Sequence, residues 1–153
     1  MAQRWAALVG LGLVLTLTGG VIATETHRKP PQSLIGTVTR DDMKGLQQIC
    51  ECEFYRGPID GTTTVLATWE GRTRALARIK EQLTRLELVK ADGDTECRAN
   101  AELSQSWRAE STTVLLKLSA ERPGEEACWY RGTMHVTTGG RTEAVRITGA
   151  CGC

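Results

Sequence analysis

Apolar residues recur at intervals of three and four positions between Thr73 and Leu88, in the stretch TRALARIKEQLTRLEL. The apolar members of this set are Leu76, Ile79, Leu83 and Leu86. The charged residues that fall away from them are Arg74, Arg78, Lys80, Glu81 and Arg85. Such spacing places the apolar side chains on one face of a helix. The pattern therefore predicts an amphipathic helix, which ends at the turn residues ADGD at positions 91–94.

After Cys97 the hydrophobic period changes toward two. Four segments, at positions 101–109, 113–120, 127–137 and 141–150, are separated by turn-forming residues, and Gly139 and Gly140 fit a tight hairpin turn. Tyr130, Met134 and Val136 share one parity, which indicates one half-buried strand face. We therefore predict an α+β fold, in which one amphipathic helix packs on an antiparallel four-stranded meander cross-linked by disulfides.

The first half of the mature chain carries weaker patterns. Positions 33–38 predict a short strand, and Asp41 and Asp42 predict the cap of a brief helix that runs through Leu46 to Ile49. A strand, CECEFY, follows at positions 50–55, and GPIDG at positions 57–61 predicts a turn. The stretch from Thr62 to Trp69 fits either a strand or a backward extension of the helix, because TTTVLATW has strand composition while Val65 and Trp69 continue the helical stripe.

The N-terminal residues have the pattern of an export signal. Arg4 is followed by a run without charge up to Glu25, apolar around Leu8 to Leu17, and small residues precede position 24. This organisation predicts a secretory signal peptide at residues 1–23, a flexible lead-in at residues 24–32 and a single disulfide-stabilised domain at residues 33–153. The alternative is an uncleaved membrane anchor, because about twenty uncharged residues are long enough to cross a bilayer. Either way, we expect a secreted, periplasmic or extracellular location.

Charge narrows the range of partners. The 153-residue chain has a formal net charge of +1, and loss of Arg4 with the signal peptide brings it near zero. This balance disfavours nucleic acid or another polyanion as a partner, and it disfavours a membrane surface unless the N-terminal segment stays uncleaved. The expected partner is an unidentified protein or surface ligand.

Six cysteines in an exported chain of this size predict three disulfides. These residues are Cys50, Cys52, Cys97, Cys128, Cys151 and Cys153. Cysteines two positions apart rarely bond to each other, but on a strand they point to the same face and can meet a neighbouring strand together. The preferred arrangement joins Cys50 and Cys52 to Cys151 and Cys153, with Cys97 bonded to Cys128, and it ties the start of the domain to its end.

The same cysteines carry a second hypothesis, that of a thiol redox or metal-handling protein. The two CxC pairs, Cys50 with Cys52 and Cys151 with Cys153, could supply four thiolates to Zn(II) or Cu(I), with Met134 and His135 as additional ligands. The usual zinc spacing is two to four residues between cysteines, and CxC departs from it. We therefore predict neither a metal nor a cofactor, and the metal site remains the alternative.

The sequence contains no complete catalytic motif. The only histidines are His27, in the predicted lead-in, and His135, and no G-x-S-x-G stretch exposes a serine. The carboxylate pairs Asp41-Asp42 and Glu125-Glu126 are explained by capping and turns. An enzyme is not favoured, although a hydrolase with dispersed carboxylates stays as a third hypothesis, to be judged by whether two carboxylates converge in a cleft.

Two further sets of residues have ordinary structural explanations. Arg72, Arg74, Arg78 and Arg85 would follow the predicted helix and either attract an acidic partner or form a solvated face. Trp69, Trp107 and Trp129 carry much of the aromatic bulk, since the chain has one Phe and two Tyr, and most of them are expected in the core. The leading prediction is a small secreted binding module of unknown ligand, surface-associated or inhibiting an extracellular enzyme.

Overall fold

Eight antiparallel strands close into a barrel in the part of the chain that the structure describes. The computed structural model describes residues 32–46, 51–58, 63–70, 72–94, 97–124 and 127–152. The strands are β1 (Glu51–Arg56), β2 (Thr64–Trp69), β3 (Arg74–Ile79), β4 (Gln82–Gly93), β5 (Glu102–Ala109), β6 (Thr112–Pro123), β7 (Ala127–Thr138) and β8 (Arg141–Gly152). Each strand pairs with the next, and β8 pairs with β1 to complete the circle. The described residues contain no helix, so the predicted α+β class is wrong.

The predicted helix from Thr73 to Leu88 is a hairpin made of β3 and β4. Ala75, Ala77 and Ile79 point into the barrel, whereas Leu76 between them packs in a second cluster on the outside. A strand that is buried on both faces has apolar residues at odd and even positions. In this stretch the intervals between those apolar residues match the intervals of an amphipathic helix. The turn at Lys80 and Glu81 has positive φ angles of 47° and 66°, but neither residue is the Gly or Asn that usually marks such a turn.

The period-two segments after Cys97 are strands, as predicted, and form β5 to β8. They pair in sequence order, but they make half of a closed barrel instead of a sheet covered by a helix. The stretch from Thr62 to Trp69, left open by the sequence, contains β2. Positions 33–38 contribute one isolated bridge, between Ile35 and Ile79, in place of the predicted strand. Residues 40–45 form turns in place of the predicted capped helix, of which positions 47–49 lie outside the described residues.

The barrel interior is filled mainly by inward-facing apolar side chains. The largest fully buried members are Phe54, Leu66, Leu86, Trp107, Leu116, Leu118 and Met134. Burying a side chain of this size contributes about 1.5 to 3 kcal/mol to folding. On β8, Gly149 leaves room for the Phe54 ring, because a Cβ atom there would collide with Phe54 Cδ1.

Within the segment of residues 33–46, Leu34 and Ile35 pack with the barrel core, and the residues from Val38 onward cover the outer face of β2 and β3. Val38 and Met43 pack with Ala67, Trp69 and Leu76 in the outer cluster. Backbone hydrogen bonds hold the segment, since Gly36 N donates to Arg78 O at 2.8 Å and Val38 N donates to Thr64 O at 2.7 Å. This cover explains why β2 is buried on both faces and lacks a clean alternation of apolar and polar residues.

The two ends of the barrel differ in how the strands connect. At one end, called here the turn end, short turns at residues 80–81, 110–111 and 139–140 join β3 to β4, β5 to β6 and β7 to β8. At the other end, called the disulfide end, lie the bonds Cys52–Cys151 and Cys97–Cys128. Residues 1–31, including the predicted signal peptide, lie outside the described residues. Among those described, no helix is long and apolar enough to cross a membrane.

Candidate functional site

Two disulfides lie at one end of the barrel. Cys52 on β1 and Cys151 on β8 are direct cross-strand partners with Cα atoms 4.0 Å apart, and Cys97 bonds to Cys128 on β7 across a Cα distance of 5.6 Å. Cys128 in turn faces Cys151 in the β7–β8 register. These pairings agree with the arrangement preferred from the sequence for these four cysteines. Cys50 and Cys153 lie outside the described residues, so their bonding remains a prediction.

A cavity of about 200 Å³ opens beside these bonds, inside the disulfide end of the barrel. Its wall is largely apolar, with a few polar groups among the apolar ones. The lining residues are Cys52, Arg72, Thr73, Leu88, Ala91, Leu103, Gln105, Tyr130 and Cys151. Thr73 and Ala91 are exposed, whereas Leu103, Gln105 and Tyr130 are buried. The cavity therefore runs from solvent at the barrel end into the interior.

Gln105 is the unusual member of this wall. Strand β5 alternates so that Leu103, Gln105 and Trp107 all face inward, which places an amide among apolar side chains. Only 8% of Gln105 is exposed, and its Oε1 atom has no hydrogen-bond partner among the described residues. Trp107, fully buried, also has an unpartnered polar atom, Nε1. The signal that sequence reasoning missed is one polar residue at an inward position of an otherwise apolar strand face.

Tyr130, in the cavity wall, interacts electrostatically with charged residues nearby. Burial raises the pKa of the Tyr130 hydroxyl, while the nearby Arg72 charge lowers it and the Asp94 charge raises it. Tyr130 therefore stays neutral at physiological pH and keeps its hydroxyl proton. Arg72 lies on the β2–β3 turn with a φ of 66°, and Asp94 follows the end of β4. The cavity thus combines an apolar body, a neutral phenol and an unpaired amide oxygen.

The volume of this cavity limits the size of the ligand that it can hold. An apolar cavity of about 150 Å³ accommodates a benzene-sized molecule. Ligand sites typically combine an apolar wall with a few polar groups that fix orientation. The cavity beside Gln105 has that composition and room for a single-ring molecule.

The residues of the metal hypothesis are only partly brought together. Met134 is fully buried in the barrel interior, whereas the adjacent His135 is half-buried on the other face of β7. Because neighbouring strand residues point to opposite faces, the two side chains cannot bind the same metal ion. Cys52 and Cys151 are bonded to each other. No group of three or more His, Cys, Asp or Glu residues suited to a metal occurs in the described ranges.

The four arginines predicted to line a helix are instead distributed over a hairpin. Arg72 borders the cavity, Arg74 pairs with Glu70 at 3.1 Å, and Arg78 pairs with Asp42 at 2.7 Å. Arg85 is exposed on the outer face of β4. The prediction of one continuous basic helix face is therefore wrong.

The three tryptophans occupy different environments. Trp69 is buried in the outer cluster beneath residues 33–46, and Trp107 is buried in the barrel. Trp129 is half-buried on β7. The expectation that most of them belong to the core is confirmed.

Among the described carboxylates, Glu51 and Glu53 on β1 lie side by side at one cleft. They line a cleft of about 470 Å³ beside residues 40–46. Burial and the neighbouring Glu53 charge raise the pKa of Glu51, and the Tyr55 hydroxyl donates to Glu53 Oε2 at 2.6 Å. The pair of the sequence prediction, Asp41 and Asp42, is structural, since Asp42 accepts bonds from Thr39 and Arg78. Glu125, Glu126 and His27 lie outside the described residues.

Comparison with known proteins adds no candidate activity. Neither a protein-family model, nor a curated protein, nor a solved structure matches the chain significantly. Function must therefore be inferred from the cavity and the side chains that line it.

Proposed function

We propose that the chain is a secreted, disulfide-stabilised binding protein whose barrel holds a small molecule at the disulfide end. The expected ligand is a single-ring, largely apolar compound that carries one N–H or O–H group. The observation that carries this proposal is the unpaired Gln105 Oε1 atom in a side chain that is only 8% exposed and lines the cavity. Closed eight-stranded barrels either fill their interior with side chains or hold one small ligand.

Energetics support a ligand at Gln105. A buried polar atom without a partner costs about 1 to 3 kcal/mol of stability. Leucine at the same position would fill similar space without that cost. A ligand donor that bonds to Oε1 would recover part of the penalty, whereas a purely apolar ligand would not.

The other hypotheses have less support. Docking to a protein surface, including inhibition of an extracellular enzyme, belongs to the same binding class but does not account for the buried amide. The thiol redox or metal-handling alternative would first require reduction of Cys52–Cys151, a bond that lines the cavity wall. It remains a prediction, as does a hydrolase that uses Glu51 and Glu53.

The test is binding of small aromatic probes to the oxidised mature chain. Phenol and indole supply a ring with one donor, and toluene supplies a ring without one. We expect phenol and indole to bind more tightly than toluene and to shift the NMR signals of the Gln105 amide and the Trp107 indole N–H. Replacement of Gln105 by Leu should weaken phenol binding about three- to tenfold, which corresponds to a hydrogen bond of about 0.7 to 1.4 kcal/mol.

A matched variant separates the site from general effects. Gln82→Leu makes the same chemical change on an exposed residue at the turn end and should leave phenol binding unchanged. Gln105→Leu should also raise the free energy of unfolding by about 1 kcal/mol, since it removes the unpaired amide. The proposal is wrong if no donor-bearing probe binds, or if phenol binds equally well to the Gln105→Leu variant.

A further inference from the structure

A second surface, independent of the cavity, lies where β4 extends beyond the end of β5. The first residue pair between β4 and β5 is Glu87 with Arg108, so residues Gln82–Leu86 pair with β3 alone. Alternate residues of such a strand direct N–H and C=O groups away from their only partner. This free edge of β4 borders a groove of about 850 Å³, closed on its far side by residues 109–112 of the β5–β6 turn.

The groove also contains the exposed apolar side chains. Within the described ranges, Leu83 and Val89 are the exposed large hydrophobic residues, with 43% and 56% of their surface accessible. Val89 is the extra residue of a β-bulge, because the register between β4 and β5 shifts between Leu88 and Lys90. Both side chains line the groove. Apolar exposure is therefore concentrated beside the free edge.

The charges around the groove favour an acidic partner. Lys80, Arg85 and Arg108 are exposed, line the groove and form no ion pair with any described residue. Arg74 also lines it but pairs with Glu70. Glu87 and Glu110 are the acidic members of the wall. The unpaired cations leave the groove positive, which attracts carboxylates and disfavours a second copy of the same surface.

We propose that the free edge of β4 docks an extended, acidic segment of another protein, which adds to the barrel wall as an additional strand. Backbone bonds to Gln82–Leu86 would supply affinity, as in other strand-addition complexes. Its acidic side chains, at alternate positions, would lie on the outer face with Leu83, Arg85 and Arg108, and the apolar side chains between them would face the barrel side of the groove, lined by Leu86 and Leu88. The added strand would occupy the gap above the end of β5.

A fluorescent hexapeptide with alternating glutamate and valine tests this site, with anisotropy as the readout on the full mature chain. We expect saturable binding that weakens as salt rises, because exposed charge pairs are screened. Arg85→Glu and Arg108→Glu should each reduce the affinity by about tenfold. Lys117→Glu makes the same charge change on the exposed face of β6, outside the groove, and should leave the affinity unchanged.

A second peptide isolates the backbone contribution. Methylation of alternate amide nitrogens keeps every side chain and charge but removes donors needed for strand pairing, so we expect binding to be lost. Equal binding of the methylated peptide would overturn the proposal, since attraction would then be purely ionic. Failure of the unmodified peptide to bind would overturn it as well. Self-association of the chain that Arg85→Glu abolishes would assign the edge to a second copy and so contradict an acidic partner.

Discussion

Asp42 and Gln105 are both shielded from solvent, but their polar atoms differ in hydrogen bonding. Asp42 accepts a hydrogen bond from Thr39 N at 2.8 Å, one from Thr39 Oγ1 at 2.9 Å and one from Arg78 Nη2 at 2.7 Å. Gln105, more deeply buried, has an amide oxygen with no partner among the described residues. Burial without a partner costs stability, and Gln105 also lines the cavity, so this contrast is the reason we propose a ligand-binding role for it.

The pairing of Asp42 predicts a pH-dependent contribution to stability. The Thr39 amide, followed by the Arg78 guanidinium, lowers the pKa of Asp42 from 3.8 to about 2. A lowered folded-state pKa stabilises the fold above the unfolded pKa, and this stabilisation is lost as pH falls through the folded pKa. Asp42→Asn should therefore reduce the free energy of unfolding by about 1 to 2 kcal/mol at pH 7, with the deficit shrinking between about pH 4 and pH 2.

Urea denaturation of both proteins across this pH range measures the deficit. Asp41→Asn is the matched control, because the Asp41 side chain is 82% exposed and pairs only with the exposed Lys44. Its effect should stay within about 0.5 kcal/mol at every pH. A deficit for Asp42→Asn that is constant down to pH 2 would show that the carboxylate charge is not the stabilising group.

At the scale of elements, the hairpin of β3 and β4 shows where sequence patterns mislead. Apolar residues spaced three and four apart indicate a helix only when the element buries a single face, but Val38 and Met43 cover the outside of β3 at Leu76 while the barrel covers its inside. That second cover is a tertiary contact, invisible to a local window. The period-two strands β5 to β8 were predictable because most of their outer faces are open to solvent.

The candidate site was predictable only in part. The bonded cysteines at its edge follow from spacing and from strand geometry. The position of Gln105 on the inward face of β5 could have been read from its alternation with Leu103 and Trp107. The open cavity that it lines could not, because this cavity depends on closure of the barrel through β1 and β8, which pairs strands about a hundred residues apart.

Substitutions at Lys80 and Glu81 should change the free energy of unfolding in opposite directions for a hairpin turn and for a helix. Both residues have left-handed φ angles, which cost residues other than glycine about 1 to 2 kcal/mol each. Replacing them by Asn and Gly should raise the free energy of unfolding by about 1 kcal/mol, since this dipeptide suits the turn. In a helix, the same glycine would lower stability by about 1 kcal/mol.

Thermal and urea unfolding of this double variant give the sign directly. As a control, Arg78→Asn with Ile79→Gly places the same dipeptide within β3, where it should be strongly destabilising because Ile79 is buried. A loss of stability on changing Lys80 and Glu81 would contradict the hairpin.

At the scale of the whole molecule, the β1–β8 pairing that closes the barrel is cross-linked by a disulfide at the disulfide end. Strand β1 pairs with β8 over six residue pairs, and Cys52–Cys151 lies within that seam. Cys97–Cys128 attaches the segment before β5 to β7. Two disulfides in the described structure are compatible with an oxidising, extracellular or periplasmic location. Cys52–Cys151 also forms part of the wall of the proposed ligand cavity, so ligand binding should depend on oxidation of this bond.

The preferred pairing leaves Cys50 to bond with Cys153, and the stability of paired-cysteine variants tests this. Cys52 and Cys151 are 99 residues apart, and Cys97 and Cys128 are 31 apart. If each bond acted alone, chain entropy would assign about 4.7 kcal/mol to the first and about 3.7 kcal/mol to the second.

With a Cys50–Cys153 bond present, however, the long loop stays closed when Cys52 and Cys151 are both replaced by Ala. We therefore expect that double variant to lose less stability than the Cys97→Ala, Cys128→Ala variant, in urea unfolding of the oxidised proteins. The opposite order would mean that Cys52–Cys151 closes the barrel seam without help from the flanking cysteines.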